Sequence, residues 1–355
     1  MNTLYLIISD IHSNNKNIIE VNNRLEELVG WITRKCTCDD YQEVIIMVAG
    51  DIAYSGTKYE YDLIEASFKE LAKCSKIVMS PGNHDHNFSS YSGKARDILI
   101  SSTDEIDDSV IKIVTKGQSE YFDFENLICN VDIIEKTSLS KKYKLSEKTT
   151  IQTFNTAWCS KINEKGGELI YPLEQIIDDN DNCEMRILFF HHPLSWLNPD
   201  NNKAVRNKIS EIANVIISGH EHIENSFKVE TDNNTNLTIE TCSFHDSELD
   251  ENGFITFHQH NNDIYIEKHI WDGACYKTTD TKTKSDIVES NSKYRSGFKV
   301  RDIFYDELTD IGTGFSHPEI NELKINDIFI YQNVNNITSK STATIKSENS
   351  KNILK

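Results

Sequence analysis

No apolar run in the 355 residues reaches the roughly 20 needed to cross a bilayer as a helix, so a membrane-spanning helix is not expected. The apolar start, Leu4 to Ile8, runs straight into Asp10 with no basic region ahead of it. It reads as a strand and not as a signal peptide. Positive charge is scarce as well: 37 Lys and Arg stand against 56 Asp and Glu, for a formal net charge of −19. The best basic run, Lys141-Lys142-Tyr143-Lys144, is short. Tight nucleic-acid binding wants a basic face, so it is not expected here without a partner. The eight cysteines contain no CxxC pair, which argues against a structural zinc knot. With no export signal, reduced thiols in a cytoplasmic protein are the expectation.

What is present is enough for a sizeable core. At 38% hydrophobic residues the chain is not disordered by composition, and its length suggests about two domains. The first part alternates strand-like and helix-like segments. Tyr5–Ser9, Glu43–Ala49 and Ile77–Met79 read as strands. Asn14 or Asn15 would cap a helix carrying Ile18, Val21, Leu25, Leu28 and Ile32, and Lys58–Lys73 reads as a second, amphipathic helix. Alternation near Glu120–Val131 and Thr149–Phe154 suggests antiparallel strands. Leu173–Ile177 reads as helical. Arg186–Phe190, Ala213–Ile217, Leu237–Cys242, Phe254–His260 and Ile264–His269 read as further strands, the last two joined by a hairpin at Asn261-Asn262-Asp263. The expected divisions are a domain over 1–272, a polar linker over 273–292, a small appendage over 293–335 and a disordered tail over 336–355. The appendage carries a short echo, Lys299–Phe304 and Lys324–Phe329, which is too little to make a solenoid.

Five short motifs carry the chemistry, most of them after an apolar, strand-like run: Asp10-Ile11-His12, Gly50-Asp51, Gly82-Asn83-His84-Asp85, His191-His192 and Gly219-His220-Glu221-His222. Asp10 and His12 are two apart, so near a strand end both side chains lie on one side and can grip one ion, and His220 and His222 have the same spacing. Asp51 follows a glycine that lets the backbone come close to the site, and its two oxygens suit it to bridging two ions. Asn83 adds a neutral amide oxygen.

In this order the set resembles the calcineurin-like metallophosphoesterase superfamily, closest in pattern to its cyclic-nucleotide phosphodiesterase branch, over about residues 1–270. The resemblance implies an α/β fold: a four-layer α/β/β/α sandwich of two mixed sheets flanked by helices. It implies that Asp10, His12 and His222 hold one metal, that Asn83, His191 and His220 hold the other, and that Asp51 bridges. The cofactors would be two divalent ions, Mn, Fe or Zn, with Mn favoured. His84 would be the catalytic histidine, oriented by Asp85, and Asn83 and His84 would also touch substrate. The implied reaction is hydrolysis of a nucleotide-type phosphodiester by a metal-bridging hydroxide.

Nearby residues are weighed against that set. His191, two before Pro193, is preferred to His192. His86 reads as packing or solvent-facing. Tyr54 and Trp158 are weaker candidates for the substrate edge, Trp158 as a surface on which a base would stack. His258 and His260 read as an exposed strand, and His245-Asp246 as a surface loop that could instead line the cleft. The alternatives are a nuclease and a metal- and nucleotide-binding sensor in a larger assembly, with an oligomer or effector contact through residues 273–355.

Overall fold

The computed structural model describes residues 2–38, 41–89, 96, 99–100, 106–178, 183–230, 235–260, 263–284, 333–335 and 347–349. Up to Ser296 the chain forms one compact unit, and Gly297–Lys355 forms a second.

The first unit is built on two mixed sheets. One has six strands in the order β13-β12-β11-β1-β2-β3, and the other has seven in the order β4-β5-β6-β7-β8-β10-β9. In the first sheet, β1 (Thr3–Ile8), β2 (Glu43–Ala49) and β3 (Lys76–Ser80) run parallel. They are joined through the helices α1 (Ile18–Cys38) and α2 (Lys58–Cys74). The antiparallel strands β11 (Gly253–His260), β12 (Asp263–Trp271) and β13 (Tyr276–Lys284) extend the other side. In the second sheet, β6 (Thr149–Phe154), β7 (Met185–Phe190), β8 (Val215–Ser218) and β10 (Thr235–Glu240) form the parallel centre. It is flanked by β4 (Ile133–Lys136), β5 (Ser140–Ser146) and β9 (Asn225–Glu230).

The side-chain alternation of a strand explains the layering. Tyr5 and Ile7 of β1 point into the core between the sheets, with Ile45, Met47, Ile187, Phe189 and Ile217. Leu4, Leu6 and Ile8 point the other way, against Val21, Leu25, Leu28, Ile64 and Phe68 of α1 and α2. A third core, with Leu188, Phe190, Val205 and Ile209, fills the outer face of the second sheet under a later helix, Pro199–Ile212. Central strands buried on both faces read as continuous apolar runs, which is why Glu43–Ala49 and Arg186–Phe190 stand out in the sequence. Among the described residues no helix is long and apolar enough to cross a membrane.

Three sequence readings need correcting. Glu120–Val131 is mostly helical, not a strand: Asp108–Val114 forms α3 and Ser119–Ile128 forms α4. Tyr121, Phe124 and Ile128 of α4 are buried at spacings of three and four, and that helical period prevails over the apparent alternation. Leu173–Gln175 is a single 3-10 turn rather than a longer helix. The segment read as a linker, 273–292, supplies the edge strand β13, which pairs with β12 from Tyr276 to Lys284. Its Thr, Lys and Asp side chains are mostly exposed, so no buried face announces the strand. A truncation meant to remove the appendage must therefore start after Lys284.

In the second unit Asn333–Asn335 and Ser347–Asn349 pair antiparallel, the latter within the expected tail. The Lys299–Phe304 and Lys324–Phe329 echo and the Asn261-Asn262 connection lie outside the described residues. The helix Pro199–Ile212 is α5; Asn198 caps it by accepting the Asn201 N–H at 2.9 Å, and Pro199 occupies its first turn.

Candidate metal centre

The candidate residues sit where parallel strands end. Asp10 and His12 follow β1, Asp51 follows β2, Asn83 follows β3, His191 follows β7, and His220 and His222 follow β8. Chemistry at the carboxyl ends of parallel strands is the general habit of α/β sheets. Backbone bonds tie the loops together: Asp10 and His12 donate N–H groups to Gly50 O (3.0 Å) and Asp51 O (2.9 Å), and Gly219 donates to His191 O (2.9 Å).

The local backbone is strained. Asp10, His12, Asp51, His220 and His222 have φ of 57°, 50°, 55°, 73° and 58°, and among the described residues no other non-glycine has positive φ. Each such residue costs on the order of 1–3 kcal/mol, and strain of this kind gathers at functional sites. Gly50 (φ 90°) is required sterically as well. A Cβ there would lie 2.6 Å from His191 Nδ1 and 2.7 Å from Gly82 N. A Cβ on Gly82 would lie 2.1 Å from Asp51 Oδ1.

The loops bring all seven predicted ligand side chains together in two triads around Asp51. In the first, His222 Nε2 lies 3.5 Å from His12 Nε2 and 3.2 Å from Asp10 Oδ1. In the second, His191 Nε2, His220 Nδ1 and Asn83 Oδ1 are 3.0–3.2 Å from one another. Asp51 Oδ2 lies between them, 3.9 Å from His12 Nε2 and 3.3 Å from His191 Nε2. Ligands about 2.0–2.2 Å from a shared ion stand roughly 3 Å apart or slightly more, so these spacings fit a cation in each triad. Asp10 Oδ1 is buried and makes no hydrogen bond of proper geometry; the His222 and His12 imidazoles beside it, at 3.2 and 3.8 Å, meet its charge, a role that a cation would take over.

Supporting hydrogen bonds set the tautomers. His191 Nδ1 donates to Ala49 O (2.8 Å), leaving Nε2 as the ligand atom. His222 Nδ1 donates to Asp246 Oδ2 (2.7 Å) with the same result. A carboxylate behind a metal histidine fixes its ring and raises its basicity. Asp246 therefore belongs to the site, which a surface-loop reading of His245-Asp246 misses; only its closeness to the strand after the GHxH block hints at it. His192 has both ring nitrogens engaged, by Glu164 Oε1 (2.9 Å) and Thr156 Oγ1 (3.2 Å), which leaves His191 as the freer ligand.

The charges work against one another in the expected sense. Burial opposes ionisation of Asp10, but contact with His222 and His191 brings its carboxyl down to about 2. Burial likewise opposes a charged His191, and Asp51 and Asp10 overcome it, raising its pKa to about 10. For His222 the same contest, won by Asp10 and Asp246, gives about 9. Burial, with His191 and His192 nearby, depresses His220 to about 2. Buried aspartates thus hold protons on imidazoles, and cations would take over that neutralising role.

His84 stands on the open side of the centre. Its Nδ1 donates to Tyr54 O (2.6 Å), its ring packs edge-on to His12 at 4.7 Å, and its own N–H donates to Asp51 Oδ1 (2.8 Å). Nε2 is left for a reacting group. Asp85 does not act on His84 as expected. Its buried carboxylate accepts from Ile52 N, Ala53 N and Gly82 N and from Tyr61 OH, so it pins the Asp51 loop to the Asn83 loop. Burial and the nearby Asp51 raise its pKa to about 6.

Trp158 is fully buried and donates Nε1–H to Ile170 O (2.7 Å), so it offers no surface to a substrate. Tyr54 is 54% exposed with its ring 5.4 Å from His84, at the rim of the cleft. His86 is buried against Phe88. His258 and His260 lie on β11, far along the strand from this end. Trp196, which no motif points to, packs edge-on to His220 at 4.1 Å, and its Nε1–H donates to Glu221 Oε1 (2.5 Å).

The chain belongs to the calcineurin-like phosphoesterase family, whose pattern matches residues 4–224. Its two sheets with flanking helices are the fold of that family. Among solved structures, PhoD is similar with a TM-score of 0.51 and 9% identity, over 80% of this chain and 70% of that one. The purple acid phosphatase PPD1 from yellow lupin (Lupinus luteus) is similar with a TM-score of 0.50 and 11% identity, over 81% of this chain and 55% of that one. A dimetal phosphatase from Danio rerio aligns over 80% of this chain and 99% of its own, at 12% identity and a TM-score of 0.47. At these identities the likeness concerns the fold. No curated protein matches the sequence.

Proposed function

We propose that the chain is a dinuclear metal-dependent phosphodiesterase acting on a nucleotide-type phosphodiester. The observation that carries this reading is the position of Asp51 Oδ2 between two triads of metal-binding atoms, with His84 on the open side. Asp10, His12 and His222 would hold one cation, Asn83, His191 and His220 the other, and Asp51 both. A bound pair of divalent ions supplies Lewis acidity and an activated water.

The chain's own residues do the rest. Asp10, Asp51 and the strained loops would hold the cations, whose charge the phosphoryl oxygens need. Water supplies the oxygen that joins phosphorus, releasing a proton to solvent, as the ester P–O bond breaks. The departing oxygen takes a proton from His84 Nε2, while the Tyr54 carbonyl keeps Nδ1 protonated and the ring in place. A diester is favoured over a monoester because, burial aside, the charged groups that act most on Asp10, Asp51, His191 and His222 are aspartates and histidines, with no Lys or Arg among them. A monoanionic diester needs less added positive charge. Mixed oxygen and nitrogen ligands suit Mn, Fe and Zn alike, so availability decides among them, and Mn is the favoured choice. The charge of −19 disfavours the nuclease alternative.

Full-length protein loaded with Mn²⁺ should hydrolyse bis(p-nitrophenyl) phosphate and a cyclic nucleotide, and chelation should abolish both. Equal or faster turnover of single-stranded DNA would favour the nuclease. No turnover of any diester with two metals bound would reject the proposal.

A further inference from the structure

A groove of about 850 Å³ opens beside the centre, lined among others by Asn14, Asn15, Asn23, Tyr54, Tyr59 and Trp271. It touches the candidate machinery at two points. Tyr54 lines it and holds His84 through its carbonyl. Asn14 and Asn17 form part of its wall, and each donates Nδ2–H to His12 O, at 3.0 and 2.9 Å.

Its lining is unusual for plain surface. Tyr54, Tyr59 and Ile19 are 54%, 55% and 78% exposed. Large apolar side chains left open together are a mark of recognition surfaces. Tyr59 is oriented, because its OH donates to Asn15 Oδ1 at 2.6 Å. The carboxylates that reach the groove are already engaged. Glu60 accepts from the N–H and OH groups of Ser55 and Thr57, and Glu20 pairs with Arg24 at 2.5 Å. Glu60 thereby seals the start of α2 against a second phosphate. Among the described residues of the lining, Lys16 is the one Lys or Arg, and His245 is the one histidine. The groove therefore does not suit a polyanion. Flat aromatic faces with amide donors and acceptors suit an uncharged heterocycle with its sugar, and the volume is within the usual range for a ligand site.

We infer that this groove is the leaving-group subsite and binds the nucleoside that departs from His84's side of the phosphorus. The inference rests on the phosphodiesterase reading and adds the residues that select the substrate. Tyr59 is a specificity-determining residue: its ring stacks on the base, and Trp271 and Asn15 complete the pocket.

The test uses the full-length, Mn²⁺-loaded protein with adenosine as the binding probe, followed by calorimetry. Tyr59→Ala should weaken adenosine binding about tenfold, the usual worth of one stacked base. Tyr59→Phe, which keeps the ring, should bind nearly as wild type. With adenylyl-(3′→5′)-adenosine as substrate, Tyr59→Ala should raise KM and leave kcat unchanged, with two metal equivalents still bound. Failure of adenosine to bind the wild type, or equal binding by Tyr59→Ala, overturns the subsite. So does a fall in kcat or in bound metal, which would mark Tyr59 as structural. Bis(p-nitrophenyl) phosphate separates the two claims: no turnover rejects the phosphodiesterase, whereas turnover without adenosine binding rejects only the groove.

Discussion

Asp51→Asn should reduce the tightly held metal from two equivalents to one or none and lower diester turnover by about 10³-fold or more, on the order of 4 kcal/mol of transition-state stabilisation. The change preserves shape, and an amide oxygen can still accept the His84 N–H that Asp51 Oδ1 accepts at 2.8 Å. It removes the negative charge between the triads. Asp51 is the principal reason that His191 carries a raised pKa, so the same charge that retains a proton in the metal-free protein would retain cations. Elemental analysis of the purified variant, beside a thermal melt to show that it folds, checks the prediction. Two retained equivalents would remove Asp51 from the bridging position.

His84→Ala should lower kcat by about 10² to 10⁴ while leaving metal content intact, the range expected for loss of a positioned proton donor. The side chain is hydrogen-bonded from outside the triads, by the Tyr54 carbonyl, so deleting it removes no hydrogen bond from a ligand and only the edge-on packing against His12. The geometry sets up a real contest, because His84 also reaches within 4.8 Å of ligand atoms on His12 and Asp51. Metal analysis beside steady-state kinetics decides it. Loss of a metal equivalent would make His84 a ligand, and unchanged turnover would take it out of the chemistry.

The central strands were legible because both faces of each are buried, which writes them as apolar runs such as Glu43–Ala49. Edge and surface elements were not. Strand β13 has one buried residue, Tyr276, among polar ones, so it looks like a linker. Helix α4 hid its period behind aromatic residues that also suit strands. Within the site, the ligand set could be read because the five motifs, in that order, resemble the family pattern; an Asp-x-His pair alone says little. Supporting interactions could not. The Asp246–His222 and Tyr54–His84 bonds join residues 24 and 30 positions apart, and the second uses a main-chain carbonyl that no side-chain pattern encodes. Asp85 shows the opposite error: its neighbour in sequence, His84, is not its partner in space, because the carboxylate turns inward to the Ile52 and Ala53 amides. The positive φ of five ligand residues was equally invisible, since none is a glycine.

Two cations sharing one aspartate are the central expectation, and anomalous diffraction from crystals of the Mn²⁺-loaded protein tests it most directly. Two manganese peaks are expected, one within bonding distance of Asp10, His12 and His222, the other of Asn83, His191 and His220, each also touching Asp51. A single peak, or peaks bound elsewhere, would contradict it.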